Sequence, residues 1–324
     1  MKAALCRAFG PPEQLEITEV ETPAPGPGQI LLGVKACAVN FPDTLVIQGK
    51  YQFQPPMPFS PGTDVAGVVR AMGEGVSGLR VGDRVFTLVP HGGYAEAVVC
   101  DARAAIPIPE GVDFVTAAAF QLTYSTAYHA LVDRAQLQPG ETLLALGAAG
   151  GVGLAAIEIG KLLGARILAA ASSAEKLAAC RESSADEGID YSVEDLRERL
   201  KALAPGGVDV VFDPVGGALA EPALRSVGWK GRYLVVGFAA GDIPRIPLNL
   251  PLLKGCSIVG VFYGAFMTRE RERNAANMRQ LLAWLSESKI KPRISRIYPL
   301  ERAADALNDV LARRAIGKVV LVMD

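Results

Sequence analysis

Apolar residues along this chain fall into two textures that meet near Ala117. Before it, short β-branched runs predict strands at Gln29–Ala38, Asp64–Ala71, Arg84–Leu88 and Ala95–Val99. Turn-forming stretches separate them: PAPGPG at 23–28, PPMPFSPG at 55–62 and GEGVSG at 73–78. Strands this short and this often interrupted predict an irregular β barrel or sandwich. After Ala117 the pattern alternates between buried strand and helix. Thr142–Ala148, Arg166–Ala171, Ile189–Tyr191, Val208–Phe212, Arg232–Phe238 and Ser257–Phe262 read as strands. Val152–Leu163, Ala174–Arg181 and Glu194–Ala204 read as helices between them. That alternation predicts an α/β domain, a doubly wound parallel sheet with helices on both faces. A charged helix at Arg269–Ser288, a strand at Ile294–Pro299, a helix at Glu301–Arg313 and a strand at Lys318–Met323 complete the chain. This tail is too short to be a domain and is expected to pack on the N-terminal part.

Composition narrows the class. A chain of 324 residues suggests about two domains. It buries roughly 75% of the surface its unfolded form exposes, so it needs neither disulfide nor metal to hold a core. Lys and Arg number 33 against 34 Asp and Glu, a net charge of -1 that gives no footprint for nucleic acid. The five cysteines, Cys6, Cys37, Cys100, Cys180 and Cys256, are scattered without a C-x-x-C pair. They make a poor disulfide framework and a poor zinc site, and reduced, buried thiols in a cytoplasmic protein are expected. The first residues lack the long apolar stretch of a secretory signal. No apolar run of about 18 residues predicts a membrane span.

The first chemical signal is a glycine loop. Leu143–Leu146 leads into Gly147-Ala148-Ala149-Gly150-Gly151-Val152-Gly153 and then a helix. Strand, glycine turn and helix in that order are the setting of a dinucleotide-binding loop, where backbone approaches pyrophosphate and the helix N-terminus faces it. A turn used only for close helix–sheet packing is the simpler alternative. NAD sites place an acid about 20 residues on, to hold the ribose 2′-hydroxyl. Here the next strand ends Ala171-Ser172-Ser173 with no acid, and Lys176 follows within one helical turn. Hydroxyl donors and a compact cation suit a 2′-phosphate, so NADP(H) is the expected cofactor. An ordinary solvated lysine is the alternative for Lys176.

Several motifs taken together resemble one family. They are Val39-Asn40-Phe41-Pro42-Asp43, Gly49-x-Tyr51, Pro61-Gly62-x-Asp64-x-Ala66-Gly67, Gly82-Asp83-Arg84-Val85, the loop 148–153, Asp213-x-Val215-Gly216-Gly217 and Gly317-Lys318-Val319-Val320. In this order, across essentially the whole chain, they resemble the zinc-free NADPH:quinone oxidoreductases of the medium-chain dehydrogenase/reductase superfamily. The resemblance implies a GroES-like β domain (1–122) and an inserted Rossmann domain (123–264), with 265–324 returning to the first. It implies a cofactor cleft between domains and a homodimer joined by edge strands of the coenzyme sheets near Ser257–Tyr263. Carried onto this sequence, it gives Gly150, Gly151 and Val152 to the pyrophosphate and Lys176 and Tyr191, beside Ser172, to the 2′-phosphate. Asn40, Tyr51 and Thr126 fall at the nicotinamide pocket. Val215, Gly237, Phe238, Ala239, Phe262 and Tyr263 belong to segments beside the cofactor, and Asn249 and Lys318 are further contacts. Plain packing is the alternative for Tyr51 and Phe262.

Metal ligands are missing from the pattern. Asn40 occupies the position of a zinc-ligating Cys in the zinc enzymes of the superfamily, and Pro61–Asp64 that of a Gly-His-Glu segment. The two histidines, His91 and His129, are far apart, and His129 reads as a satisfied helix residue. Hydride delivery to an electron-poor quinone or enone needs less polarisation than alcohol oxidation does. Asn40 and Tyr51 are therefore expected to assist by hydrogen-bonding the developing oxyanion. Asp43 and Asp64 are unpersuasive as general bases, and Asp43 suits a helix cap. Arg269, Arg271 and Arg273 alternate with Glu270 and Glu272 and read as a solvated helix face. The expected activity is zinc-independent quinone reduction by NADPH. An enone or enoyl-thioester reductase, or an NADPH-binding sensor with little turnover, are the rivals.

Overall fold

In the computed structural model, residues 1–323 are described. The chain forms two compact units, one of Met1–Leu122 together with the chain from Pro292 on, the other of Thr123–Lys291. The helix Phe114–Tyr128 carries the first division.

The first unit is built on strand Gln29–Val39. It pairs antiparallel with Asp64–Met72, Ala97–Asp101 and the last strand of the chain, Lys318–Val322. Nearly every residue of this strand is buried, so its sequence runs apolar without the alternation of a half-solvated strand. Ile30, Leu32, Val34, Val65, Val69, Val85, Tyr94, Leu307, Val319 and Leu321 form the core. The register sets Val319 opposite Val39, and Ala38 opposite Asp64. Lys318, Asn40 and Asp64 therefore share one end of the sheet.

The second unit holds a six-stranded parallel sheet. Its order is Glu187–Asp190, Arg166–Ala171, Thr142–Leu146, Val208–Asp213, Val227–Val235, Ser257–Gly260. In sequence terms this is 3-2-1-4-5-6, the Rossmann arrangement, whose strand order reverses between Thr142–Leu146 and Val208–Asp213. Ligands bind outside the carboxyl ends of the strands at such a point, and there the glycine loop and the Asp213–Gly217 segment begin. Leu144, Leu146, Leu168, Ala170, Val211, Leu224 and Tyr233 pack one face of the sheet.

Two expectations are corrected. The strand expected at Arg232–Phe238 runs Val227–Val235. Its first half hid in Gly228-Trp229-Lys230-Gly231, where Lys230 takes φ 62 and the register with Val208–Asp213 shifts. The helix expected at Arg269–Ser288 runs Arg271–Ser286, but an unexpected helix, Tyr263–Arg269, precedes it, and both belong to the second unit, so the chain returns at Pro292, not at 265. The reason is a buried stripe, Met278, Leu281 and Leu285, with the Trp284 ring against Tyr128. Asp133 reinforces it by accepting hydrogen bonds from Arg273 (2.8 Å) and Asn277 (2.7 Å).

Candidate functional site

The glycine loop leaves the carboxyl end of Thr142–Leu146 and enters helix Gly151–Leu162, with Gly150 as N-cap and no side chain capping the first turn. Gly147 takes φ +55, and a Cβ on Gly153 would lie 2.6 Å from the carbonyl oxygens of Gly147 and Ala148. Those two glycines let the helix start hard against the strand. Gly150 differs, because a Cβ there meets only the Gly147 oxygen, at 3.4 Å. Its outer side is open, beside helix N–H groups that no side chain occupies. The cradle fits a pyrophosphate.

At the tip of Arg166–Ala171, the Lys176 ammonium donates to Ser172 Oγ at 2.9 Å. Ser173 caps the following helix, its Oγ accepting the Lys176 N–H at 3.3 Å. Tyr191 closes the neighbouring strand, its N–H bonded to the Ala171 carbonyl. The Ser172 hydroxyl and the Lys176 ammonium thus meet at the tip of this strand.

The opposite wall is organised by Asp213, which sequence reasoning placed only as part of a motif. One carboxylate oxygen accepts the N–H groups of Val215 (2.7 Å) and Gly216 (2.8 Å); the other accepts the Tyr233 hydroxyl. Burial, then the Asp213 charge, pushes the Tyr233 phenol far up, so it stays a donor. The turn after Val227–Val235 is tied to the same loop, the Ala239 N–H donating to the Pro214 carbonyl at 3.0 Å. Val215, Gly237, Phe238 and Ala239 are thus brought together. Phe262 is 58% exposed and free of the sheet core, whereas Tyr263 is buried and donates to Asn274 at 3.0 Å. Thr126 is half-buried on its helix, and Asn249 lies exposed at the start of helix Asn249–Lys254. His129 is buried, its Nδ1 2.9 Å from Asp133 and its ring stacked on Phe266.

In the first unit, Asn40 precedes helix Phe41–Val46, and its N–H donates to Asp43 Oδ2 at 2.8 Å. Asp43 is thus the third helical residue reaching back to the cap, not the cap itself. The Tyr94 hydroxyl donates to the same oxygen at 3.1 Å. Lys318, expected as a further cofactor contact, lies at the same end of the sheet. It is 5% exposed, and its ammonium donates to Asn40 Oδ1 and reaches the Val39 carbonyl at 3.4 Å. Burial lowers its pKa against the pull of Asp64 and Asp43. Asp64 is 1% exposed, and neither carboxylate oxygen has a hydrogen bond of normal geometry. Burial pushes Asp43 up to about 6 and Asp64 up to about 7, each restrained by the Lys318 charge. Tyr51 is half-buried on this core, its phenol raised by burial and by the nearby Asp43 charge. Sequence reasoning missed this assembly; the signal available was three polar residues in otherwise apolar strand ends.

Among the described residues no group of three or more His, Cys, Asp or Glu side chains can hold a metal ion. No helix among the described residues is long and apolar enough to cross a membrane.

A unit with the Rossmann strand order and a separate, largely antiparallel β unit in one chain are the two parts of a dehydrogenase or reductase. Residues 26–110 match the alcohol dehydrogenase GroES-like domain, and residues 151–286 match the zinc-binding dehydrogenase domain. The chain is 40% identical over 323 residues to quinone oxidoreductase-like protein 2 of Bos taurus, covering 99% of this chain and 92% of that protein. It is 35% identical to the quinone oxidoreductase of Rattus norvegicus, covering 100% and 98%. The Escherichia coli quinone oxidoreductase solved with NADPH superposes with a TM-score of 0.93 at 30% identity, covering all of both chains. The chain belongs to the quinone oxidoreductase family of the medium-chain dehydrogenase/reductase superfamily.

Proposed function

We propose that this protein is an NADPH-dependent reductase that passes hydride to a quinone-type acceptor without zinc. The observation that carries it is the Lys176–Ser172 pair at the second strand tip, where no acid stands. An acid there repels a phosphate; a cation and hydroxyls bind it by charge-assisted hydrogen bonds. Gly150, Gly151 and Val152 would hold the pyrophosphate, and Ser172, Lys176 and Tyr191 the 2′-phosphate. Val215, Gly237, Phe238, Ala239, Phe262, Tyr263, Thr126 and Asn249 would line the rest of the cofactor. When bound, NADPH supplies the hydride. Asn40 and Tyr51 would orient the acceptor and polarise its oxygen. An electron-poor carbonyl needs no stronger electrophile than that, which suits hydride delivery without zinc.

The same unit leaves strand Ser257–Gly260 at the sheet edge, with Ile258, Phe262 and Leu252 exposed and Trp229 74% exposed nearby. We infer that a second copy covers this edge; light scattering that returned a monomer at micromolar concentration would reject the homodimer. The activity is tested by following NADPH and NADH oxidation with a simple quinone, an enone and an enoyl-CoA. Fast quinone turnover with NADPH supports the proposal. Preference for the enone or thioester replaces the acceptor, and firm NADPH binding without turnover favours a sensor.

A further inference from the structure

Reduction of a carbonyl by hydride consumes a proton as well, and the first unit holds a candidate for its source. Asp43, Asp64 and Lys318 are all buried, two acids against one base. Fully ionised, the cluster carries one uncompensated negative charge in a medium that penalises it, so one acid keeps a proton instead. Asp43 is the better-supplied carboxylate, with two hydrogen-bond donors on one oxygen. Asp64 has no donor at normal geometry on either oxygen, only the Leu122 N–H and the Asn40 side chain close enough to restrain its charge. Among the groups facing Asp64, Lys318 comes from the last strand, and Asp43 and Asn40 from the helix Phe41–Val46 and its cap. Cys37 comes from the central strand, and the Leu122 N–H from helix Phe114–Tyr128. Lys318 alone among them carries a positive charge. Burial holds the proton on Asp64 and the ammonium loosens it, which leaves the group near neutrality, where a general acid works.

We propose, building on the reductase reading, that Asp64 is the proton store of the reaction, giving its proton to the reduced acceptor through a bridging water and being refilled from solvent. The acceptor carbonyl gains the hydride pair and becomes an oxyanion. An O–H bond forms there as the O–H bond of Asp64 breaks, by way of the water. The Asp64 carboxylate is then held by the Lys318 ammonium until a solvent proton returns. One hydride from NADPH and one proton from water are consumed per carbonyl reduced. Neither oxygen of Asp64 has a donor at normal geometry, so a water between it and the acceptor would find an open partner there.

Two readouts on Asp64→Asn test this. The first is infrared spectroscopy of the cofactor-free protein below neutral pH: a protonated-carboxyl band present in the wild type is lost in the variant. The second is the pH profile of quinone reduction. The wild-type kcat falls as pH rises through neutrality; Asp64→Asn lowers kcat about 100-fold, removes that pH limb and leaves NADPH Kd unchanged. Should Asp64→Asn not fold, Asp64→Glu retains the group and moves the limb to a new pH. A wild type without the band, or a variant that keeps wild-type kcat and pH profile, overturns the proton store. A wild type that turns over no acceptor overturns the reductase reading; an active enzyme with an unaltered variant overturns only the store.

Discussion

Lys318→Met isolates what the buried ammonium contributes. Met keeps much of the stem and removes the charge that restrains Asp43 and Asp64. A carboxyl raised on folding binds more protons in the folded than in the unfolded state between its two values, so it costs stability as pH rises through that window. The window runs from 3.8 to about 7 for Asp64 and from 3.8 to about 6 for Asp43. Without Lys318 both values climb further. One more unit on each acid is about 3 kcal/mol, consistent with the roughly 3–5 kcal/mol lost when a buried ion pair is broken. That loss is expected at pH 8. At pH 5 the acids are largely protonated in both proteins, and the wild type then buries an unpaired ammonium, so the difference shrinks toward zero or reverses. Urea unfolding at the two pH values measures it. An equal loss at both would refute the charge assignment and make the side chain a matter of packing.

Three further substitutions address the cofactor cradle. Lys176→Glu replaces a charge-assisted bond of about 1.5–3 kcal/mol by repulsion. NADPH should bind at least about tenfold more weakly with NADH little changed, and equal losses by fluorescence titration would remove the 2′-phosphate assignment. Gly150→Val adds atoms on the open side of the loop, so NADPH binding should vanish while the melting temperature of the cofactor-free protein holds; unchanged affinity would reject the loop. Tyr233→Phe takes a donor from buried Asp213, costing about 1–3 kcal/mol in denaturant unfolding and weakening NADPH through the Val215–Gly216 loop. A variant matching wild type in both would show that Asp213 needs no help in holding the loop.

The sequence was informative where a local pattern dictates structure. Buried runs at Arg166–Ala171 and Val208–Asp213 gave strands, because a parallel strand covered on both faces has no polar alternation. Ser172 and Lys176 were readable because they stand four residues apart on one helical start, beside an expected acid that is missing. Non-local features were not readable. Lys318 looks like the polar opening of a last strand, and only its pairing beside Val39 buries its ammonium near two acids. The helix Arg271–Ser286 reads as solvated from its charges; its attachment depends on Asp133, far away in sequence, meeting Arg273 and Asn277.

The two units differ in how their polar groups are satisfied, and the difference bears on chemistry. In the coenzyme unit, Asp213 is buried but fully engaged, with two N–H donors on one oxygen and a phenol on the other. Such a carboxylate is a fixed strut. In the β unit, Asp64 is as deeply buried yet has no hydrogen bond of normal geometry, only the Leu122 N–H and the Asn40 side chain near it, beside an ammonium committed to Asn40 and Val39. An apolar or amide side chain at that strand end would avoid the penalty of a buried carboxyl. Perturbed, unsatisfied titratable groups of this kind concentrate at functional sites. Asp43 and Asn40 connect Asp64 to Tyr51 through the same small cluster. The strained electrostatics thus sit with the groups assigned to the acceptor, while the cofactor cradle is built from settled hydrogen bonds and open backbone.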